Sequence, residues 1–534
     1  MTDLCGFLIS QTAFLFYMLL LLLVLVIFSL ALNSKHILSE LFPNKIVFVF
    51  AFAAIAYGVL LRECLSEQGH KVFFDEYDRF DVVLMWMKDV FNQPSFTHFP
   101  GIMMAYYPIY KILGIATSEA GYQISIFFFA VSAVLVYIIA NKLWNDASLS
   151  LLALLLFSTY PVSLLFAGSQ TVEIANTLFS LATFLAFLIH CEKRSFASKL
   201  FFASSLSFTI FVRPYNIVFV CYLLTAWLFC VKKASMIDNV SSEPRLSHQR
   251  RLYTTITSLV FISIIGLSYI LTLYYYGIDG TFAFHYDDNF LIVRFKNLTA
   301  NMLYFVDNNA HPLPLTIVIV IGLLMLKKGY FKAKDKTSVV LLVGWIACYF
   351  SSHIASIYNY ALVKQGDAAR YTLDFYAPLL MLTAFFLKKM VDLSGRFNKA
   401  LIIVIAIYIA TIPFQYARVV KYETSFSGSV NYLSGIINGI NPDSTFATNS
   451  ALINTALRID KNINSRMIRH RNDIQSADCA PSKCVFFILQ PNQIVDAAGR
   501  GKLCGSAYRS ELFTLLVCDL TEVNALPDYL TKQY

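Results

Sequence analysis

Four carboxylates crowd the segment FFDEYDRFD, Phe73 to Asp81: Asp75, Glu76, Asp78 and Asp81. Carboxylates at or near a bilayer are costly, and where they persist they are candidates for chemistry. A base of this kind is suited to taking the proton from a hydroxyl nucleophile. The same spacing suits a plainer role. Asp75, with Asp78 three residues on, is placed to cap a helix start, where acids satisfy free amides and complement the dipole.

Other polar residues stand where apolar runs begin or end. Glu173 opens one run after AGSQTV, and Arg213 closes another just before Pro214. Arg370 and Tyr371 end the segment QGDAARY, which leads into a third. His353 and the HYDD segment, His285 to Asp288, belong to the same side. A guanidinium there would neutralise charge growing on a departing phosphate. Arginines at helix ends also snorkel to the interface, and Glu173 also suits a helix cap.

The elements that must position these groups are membrane helices. Of the 534 residues, 57% are hydrophobic and 14% charged, against roughly 25% charged in soluble domains. Apolar runs near the ~20 residues that cross a bilayer recur along the first three quarters of the chain. They predict an all-α polytopic membrane protein with about twelve transmembrane helices. The runs lie near 8–32, 45–61, 120–140, 148–167, 171–190, 197–212, 214–231, 253–276, 313–327, 337–357, 371–388 and 399–416. No alternating barrel pattern occurs. The first run follows no basic segment and precedes no small-residue cleavage site, so it reads as a retained helix.

Basic residues fill the odd-numbered gaps, from Lys35 and Lys142 to Lys327–Lys336 and Lys388–Lys399. The positive-inside rule makes those gaps cytoplasmic. The formal charge of +9 then reflects orientation and implies no nucleic acid. The N-terminus, residues 62–119, residues 277–312 and everything after about 417 fall outside, on the periplasmic or extracellular side of a plasma (inner) membrane.

In the first outward loop, Phe80, Leu84, Met87 and Phe91 repeat at helical spacing. This predicts a helix lying in the interface, apolar side down. IMMAYYPIYKILGI follows, contains Pro108 and is too short to span securely; it reads as a second interfacial or re-entrant segment. Two such helices would hold the acidic cluster at headgroup depth, which a lipid-linked donor needs and a soluble donor does not.

Residues 1–416 form the membrane domain and 417–534 a small exported α/β domain in this reading. In the latter, CVFFILQ and LFTLLVCDL have the form of buried strands between short helices. Cys479, Cys484, Cys504 and Cys518 lie in this tail. Exported cysteines suggest two disulfides of open connectivity, with a loosely spaced zinc site as the rival. Cys191, Cys221, Cys230 and Cys348 lie in or beside spans and read as apolar filler.

In order and sidedness these pieces resemble GT-C superfamily glycosyltransferases, such as protein O-mannosyltransferases and lipid A aminoarabinose transferases. FFDEYDRFD is similar to that family's first-loop motif and FPGIMMAYYPIYKILG to the start of its second loop helix. GSQTVEIANTLFSLATFLAF, RPYNIVF and ARYTLDFYAPLLML are similar to later segments of the family. The resemblance covers roughly residues 45–415. It implies inverting transfer from a polyprenyl-phosphate sugar to a hydroxyl of a glycolipid, polysaccharide or protein. Asp75 would be the base, Glu76 its neighbour and stand-in, and Glu173 a second acid near the acceptor or a metal. Arg213, Arg370 and Tyr371 would face the donor phosphate. The chain departs from the family in one extra leading span. It also departs at Gln170-Thr171-Val172-Glu173, which lacks a basic-acidic pair and leaves metal dependence open.

An O-antigen ligase or polymerase would carry its large outward loop later. A transporter would place its charges at mid-bilayer, and a non-catalytic scaffold whose outward tail binds a partner stands as a third alternative. Two sequons test the orientation. Expressed in a eukaryotic membrane, Asn297 in Asn297-Leu298-Thr299 should be glycosylated and Asn239 in Asn239-Val240-Ser241 should not. A glycan on Asn239, read as a mass shift, would reverse the topology.

Overall fold

The computed structural model describes residues 11–35, 45–66, 100–114, 118–166, 172–193, 195–213, 215–238, 311–355 and 372–393. It also describes five strands between 446 and 517 and single positions such as 83, 86 and 305. The helices are α1 (Gln11–Leu32), α2 (Lys45–Ser66), α3 (Pro100–Leu113), α4 (Ser118–Trp144), α5 (Ala147–Thr159) and α6 (Pro161–Phe166). They continue with α7 (Val172–Lys193), α8 (Phe196–Val212), α9 (Asn216–Asp238), α10 (Leu313–Lys327), α11 (Ala333–Ala355) and α12 (Leu373–Leu393). Lys45–Glu63, Ala120–Trp144 and Glu173–Lys193 are long and apolar enough to cross a membrane by themselves, and several shorter apolar helices accompany them. The runs at 253–276 and 399–416, and with them the full number of spans, lie outside the described residues.

One expected span is divided. The 148–167 run breaks at Tyr160, whose backbone is extended (φ −66°, ψ 128°). The cause is Pro161, which disfavours helical geometry in the residue before it and itself fits the first position of α6. The second loop segment, α3, is not simply laid on a surface. Met103, Met104, Tyr106 and Tyr110 are buried, and the helix packs on α1 and α8. Trp86, from the preceding stretch, meets Phe16 of α1 edge to face at 5.2 Å.

α7 is the hub, packed against α4, α8 and α12, while α12 also packs on α5, α10 and α11. Aromatic rings fill the joints. Phe157 stacks on Tyr376 at 4.8 Å, Tyr376 stacks on Tyr160 at 5.6 Å, and Trp144 stacks on Phe385 at 5.0 Å.

The bundle has two chemically distinct ends. At one, the C-terminus of α4 meets the C-terminus of α7 through Lys142 and Glu192, 2.8 Å apart. It meets the start of α11 where Ser338 donates to the Leu143 carbonyl. Lys389 of α12 pairs there with Asp335 of α11 at 3.3 Å. These are the groups expected at the cytoplasmic face. The opposite end gathers the C-termini of α2, α8 and α11 and the N-termini of α7, α9 and α12.

Five strands form a separate mixed sheet: β1 (Phe446–Thr448), β2 (Ser465–Met467), β3 (Phe486–Leu489), β4 (Gly505–Arg509) and β5 (Thr514–Val517). Their order is β2-β1-β3-β5-β4. β1 is parallel to β2 and β3, and β5 is antiparallel to β3 and β4. β3 and β5 are the two apolar runs read as strands. The helices expected between them, and the four tail cysteines, lie outside the described residues.

The α4–α5 turn depends on Asp146, whose Oδ1 accepts from the Ser148 and Leu149 amides at 3.0 and 3.1 Å and from the Ser148 hydroxyl at 2.7 Å. Partial burial tends to raise its carboxyl, but these hydrogen bonds outweigh burial and hold it below the usual value. Its contribution is therefore present above about pH 4 and is lost as pH falls through the depressed value. Asp146→Ala should cost about 1 kcal/mol in denaturant unfolding in detergent. Asp146→Asn should be near neutral at pH 7 and should lack the loss at low pH. Equal behaviour of the two variants would refute the cap.

Candidate functional site

Three charged side chains meet in the buried part of the end opposite the lysines. Arg213 donates from Nη2 to Glu173 Oε1 at 2.6 Å and from Nη1 to Asp374 Oδ2 at 2.5 Å. All three are at most 2% exposed. Burying ions is expensive unless they are paired and their remaining hydrogen-bonding groups are satisfied. The helices supply part of that compensation. Glu173 lies in the first turn of α7 and Asp374 in the first turn of α12, while Arg213 is the C-cap of α8. Each charge sits at the helix end whose dipole favours its sign. Local sequence places Arg213 there. It precedes Pro214, and its extended backbone (φ −152°, ψ 122°) ends α8.

Amides and hydroxyls complete the network. Asp374 Oδ1 accepts from Asn176 at 2.7 Å, and its Oδ2 also accepts from the Tyr215 hydroxyl at 2.7 Å. Asn176 Oδ1 accepts from Asn216 at 2.6 Å, and Asn216 Oδ1 accepts from the Tyr349 hydroxyl at 2.9 Å. Tyr349 lies 2.7 Å from the Ser180 hydroxyl. Five helices, α7, α8, α9, α11 and α12, are thus tied at one point.

Two further buried groups lie among α2, α5 and α6. Arg62, at the end of α2 where the first outward loop begins, is 1% exposed. Its Nη1 donates to the Gly58 and Ser158 carbonyls at 2.7 and 3.1 Å, and its Nη2 to the Ser163 hydroxyl at 2.7 Å. The guanidinium lies 3.3 Å from the Phe129 ring centroid, a favourable cation–π contact. The Tyr122 hydroxyl donates to the Arg62 carbonyl at 2.5 Å. Next to Arg62, Ser163 also donates to the Tyr160 carbonyl at 3.0 Å, and the Tyr160 hydroxyl and His311 Nδ1 are 2.7 Å apart. Burial pushes the His311 imidazole down to about 3, so the ring is neutral at physiological pH.

Gly101, at the start of α3, touches the end of α8 directly. A Cβ there would lie 2.5 Å from the Val212 amide nitrogen and 2.6 Å from the Phe211 carbonyl carbon. Only glycine lets the first-loop helix rest on the backbone that carries Arg213.

Of the residues singled out in sequence, Glu173 and Arg213 come together. Arg213 was expected to face a donor phosphate, and here both of its Nη atoms meet carboxylates. Asp75, Glu76, Arg370, Tyr371, His285 and the His353 side chain lie outside the described residues. Sequence reading missed Asp374, Asn176, Asn216 and Arg62. Asp374 had a usable signal, since it opens an apolar run as Glu173 does. Among the described residues, no three His, Cys, Asp or Glu side chains gather as a metal site.

One guanidinium against two carboxylates carries a formal charge of −1 when all are ionised. Arg213→Gln would leave two buried carboxylates facing each other and should cost roughly 3–5 kcal/mol. Glu173→Gln leaves a neutral pair and should cost only about 1–2 kcal/mol. Denaturant unfolding in detergent measures both. Equal losses would mean that the charges are not compensating one another.

No family model matches the chain, and no curated protein matches it in sequence. Solved structures do match. ArnT from Cupriavidus metallidurans, bound to undecaprenyl phosphate, aligns with TM-score 0.56 and 11% identity over 88% of this chain and 98% of that one. Its apo state aligns with TM-score 0.57 and 11% identity over 90% and 100%. The apo oligosaccharyltransferase from Archaeoglobus fulgidus aligns with TM-score 0.50 and 11% identity over 80% of this chain and 64% of that one. At this identity the likeness speaks for architecture alone. With its apolar helices, the chain is an integral membrane protein that shares the fold of ArnT.

Proposed function

We propose that the chain is a glycosyltransferase that moves a sugar from a polyprenyl-phosphate donor to an acceptor hydroxyl at the outer membrane face, with inversion. The observation that carries this reading is the match along nearly the whole length of ArnT, a protein solved with undecaprenyl phosphate bound. The sequence contributes the acidic first-loop segment in the expected order. Residues 1–416 serve as the membrane domain and 417–534 as the exported α/β domain. The acceptor belongs to a glycolipid, a polysaccharide or a protein.

Asp75 takes the proton from the acceptor hydroxyl, with Glu76 beside it. The acceptor oxygen bonds to the anomeric carbon as the bond from that carbon to the phosphate oxygen breaks. The electron pair leaves with the polyprenyl phosphate. Arg370 and Tyr371 stabilise the departing phosphate. Arg213 and Glu173 support that step through Asp374. Arg213 holds Asp374, which follows Arg370 and Tyr371 by four and three residues in the sequence. A divalent metal is assigned no residues.

The test is transfer of radiolabelled sugar from polyprenyl phosphates in membranes. Asp75→Asn should lower the rate by at least roughly 100-fold while donor binding persists. Full transfer by this variant would remove Asp75 as the base. No transfer by the wild type from any polyprenyl-phosphate sugar would remove the donor class.

A further inference from the structure

The end of the bundle away from the acidic network carries a dense, unneutralised patch. The hairpin from α10 to α11 reads KKGYFKAKDK, Lys327 to Lys336, with five lysines and one aspartate. Lys327, Lys328, Lys332, Lys334 and Lys336 are all exposed. The aspartate, Asp335, is already paired with Lys389, and neighbouring Lys388 is paired with Asp392 at 2.8 Å. The five hairpin lysines make no ion pair among the described residues.

Three of them stand where their own helix disfavours them. Lys332, Lys334 and Lys336 occupy the start of α11, the positive end of its dipole, which attracts anions and repels cations. The positive-inside rule accounts for basic residues in this gap, but it does not ask for them at a helix N-terminus. An anion from outside the chain would be held by lysines and helix amides together.

The helix surfaces below fit an acyl chain. Leu315, Val318 and Gly322 of α10 are buried, with Phe386 of α12 seated over Gly322. The opposite stripe of α10, at helical spacing, is Ile317, Val320 and Leu324, with Val320 52% and Leu324 56% exposed. One turn further along this stripe is Lys328, still in helical geometry (φ −75°, ψ −3°). On α11, Lys336 continues into exposed Val340 and Val343 at the same spacing. Tyr330, 63% exposed, lies at the turn, a place where aromatic rings favour the headgroup level.

We propose that the α10–α11 hairpin binds an anionic phospholipid, its headgroup phosphate held by Lys328, Lys332 and Lys336 and its acyl chains lying along Val320 and Leu324. Cytoplasmic leaflets are rich in such lipids. The full-length protein, purified in detergent, is titrated with phosphatidylglycerol or phosphatidylcholine, and retained lipid is counted by native mass spectrometry. Wild type should retain phosphatidylglycerol preferentially, and the preference should shrink in high salt. Each of Lys328→Gln, Lys332→Gln and Lys336→Gln should weaken binding about five-fold. Lys193→Gln, a cationic change elsewhere on the same face, should leave it unchanged. Equal retention of the two lipids by wild type would overturn the proposal. So would an unchanged preference in the triple lysine variant, or full displacement by inorganic phosphate, which would make this a simple anion site.

Discussion

The junction of α7, α8, α9, α11 and α12 depends on one buried guanidinium held between two carboxylates. Removing such ions from water costs several kcal/mol each, so the fold must return that energy locally. It does so through three helix ends of matching polarity, direct ion pairs at 2.5 and 2.6 Å and an amide–hydroxyl chain reaching Tyr349. None of these would suffice alone. Each helix end contributes about 0.3–2 kcal/mol, and each charged hydrogen bond about 1.5–3 kcal/mol. The geometry is specific in a way that apolar packing is not, because every partner must arrive at one point from a different helix.

The two ends of the bundle treat charge in opposite ways. Among the described residues, the charges at the Arg213 end are buried and opposed. Those at the lysine end are mostly exposed, with lysines in excess and several of them paired with Glu192, Asp335 and Asp392. The first arrangement fixes distances between helices. The second joins α4 to α7 and α11 to α12 through two pairs and leaves the hairpin lysines without an ion pair among the described residues. Arg62 is intermediate: buried, with its Nη atoms on two carbonyls and a hydroxyl, its guanidinium over the Phe129 ring and its Nε without a hydrogen-bond partner.

The sequence was most legible where local signals bound an apolar run. α8 and α10 coincide with the apolar runs at 197–212 and 313–327 to within a residue, because Ser195 and Pro214 bound the one and Pro312 and Gly329 the other. The break at Tyr160 was less legible: the apolar run continues through Pro161, and hydropathy does not register a backbone turn. Glu173 and Arg213 were visible as charges at run ends, but their partnership was not. Their separation along the chain says nothing of where α7 and α8 meet α12. Asp374 escaped attention because Arg370 and Tyr371, just before it, drew the chemistry. Asn176 and Asn216 read as ordinary polar residues in apolar runs, since an amide's worth depends on partners that only the fold supplies.

The bare contact at Gly101 has a mechanical consequence. Side chains between two helices act as a compliant layer, because rotamers can shift to absorb a small displacement. Here that layer is missing, and the start of α3 bears on the main chain of Phe211 and Val212. A backbone-on-backbone joint of this kind transmits motion with little slack. A displacement of α3 would reach the last turn of α8 with little loss, one residue from the arginine that joins α7, α8 and α12.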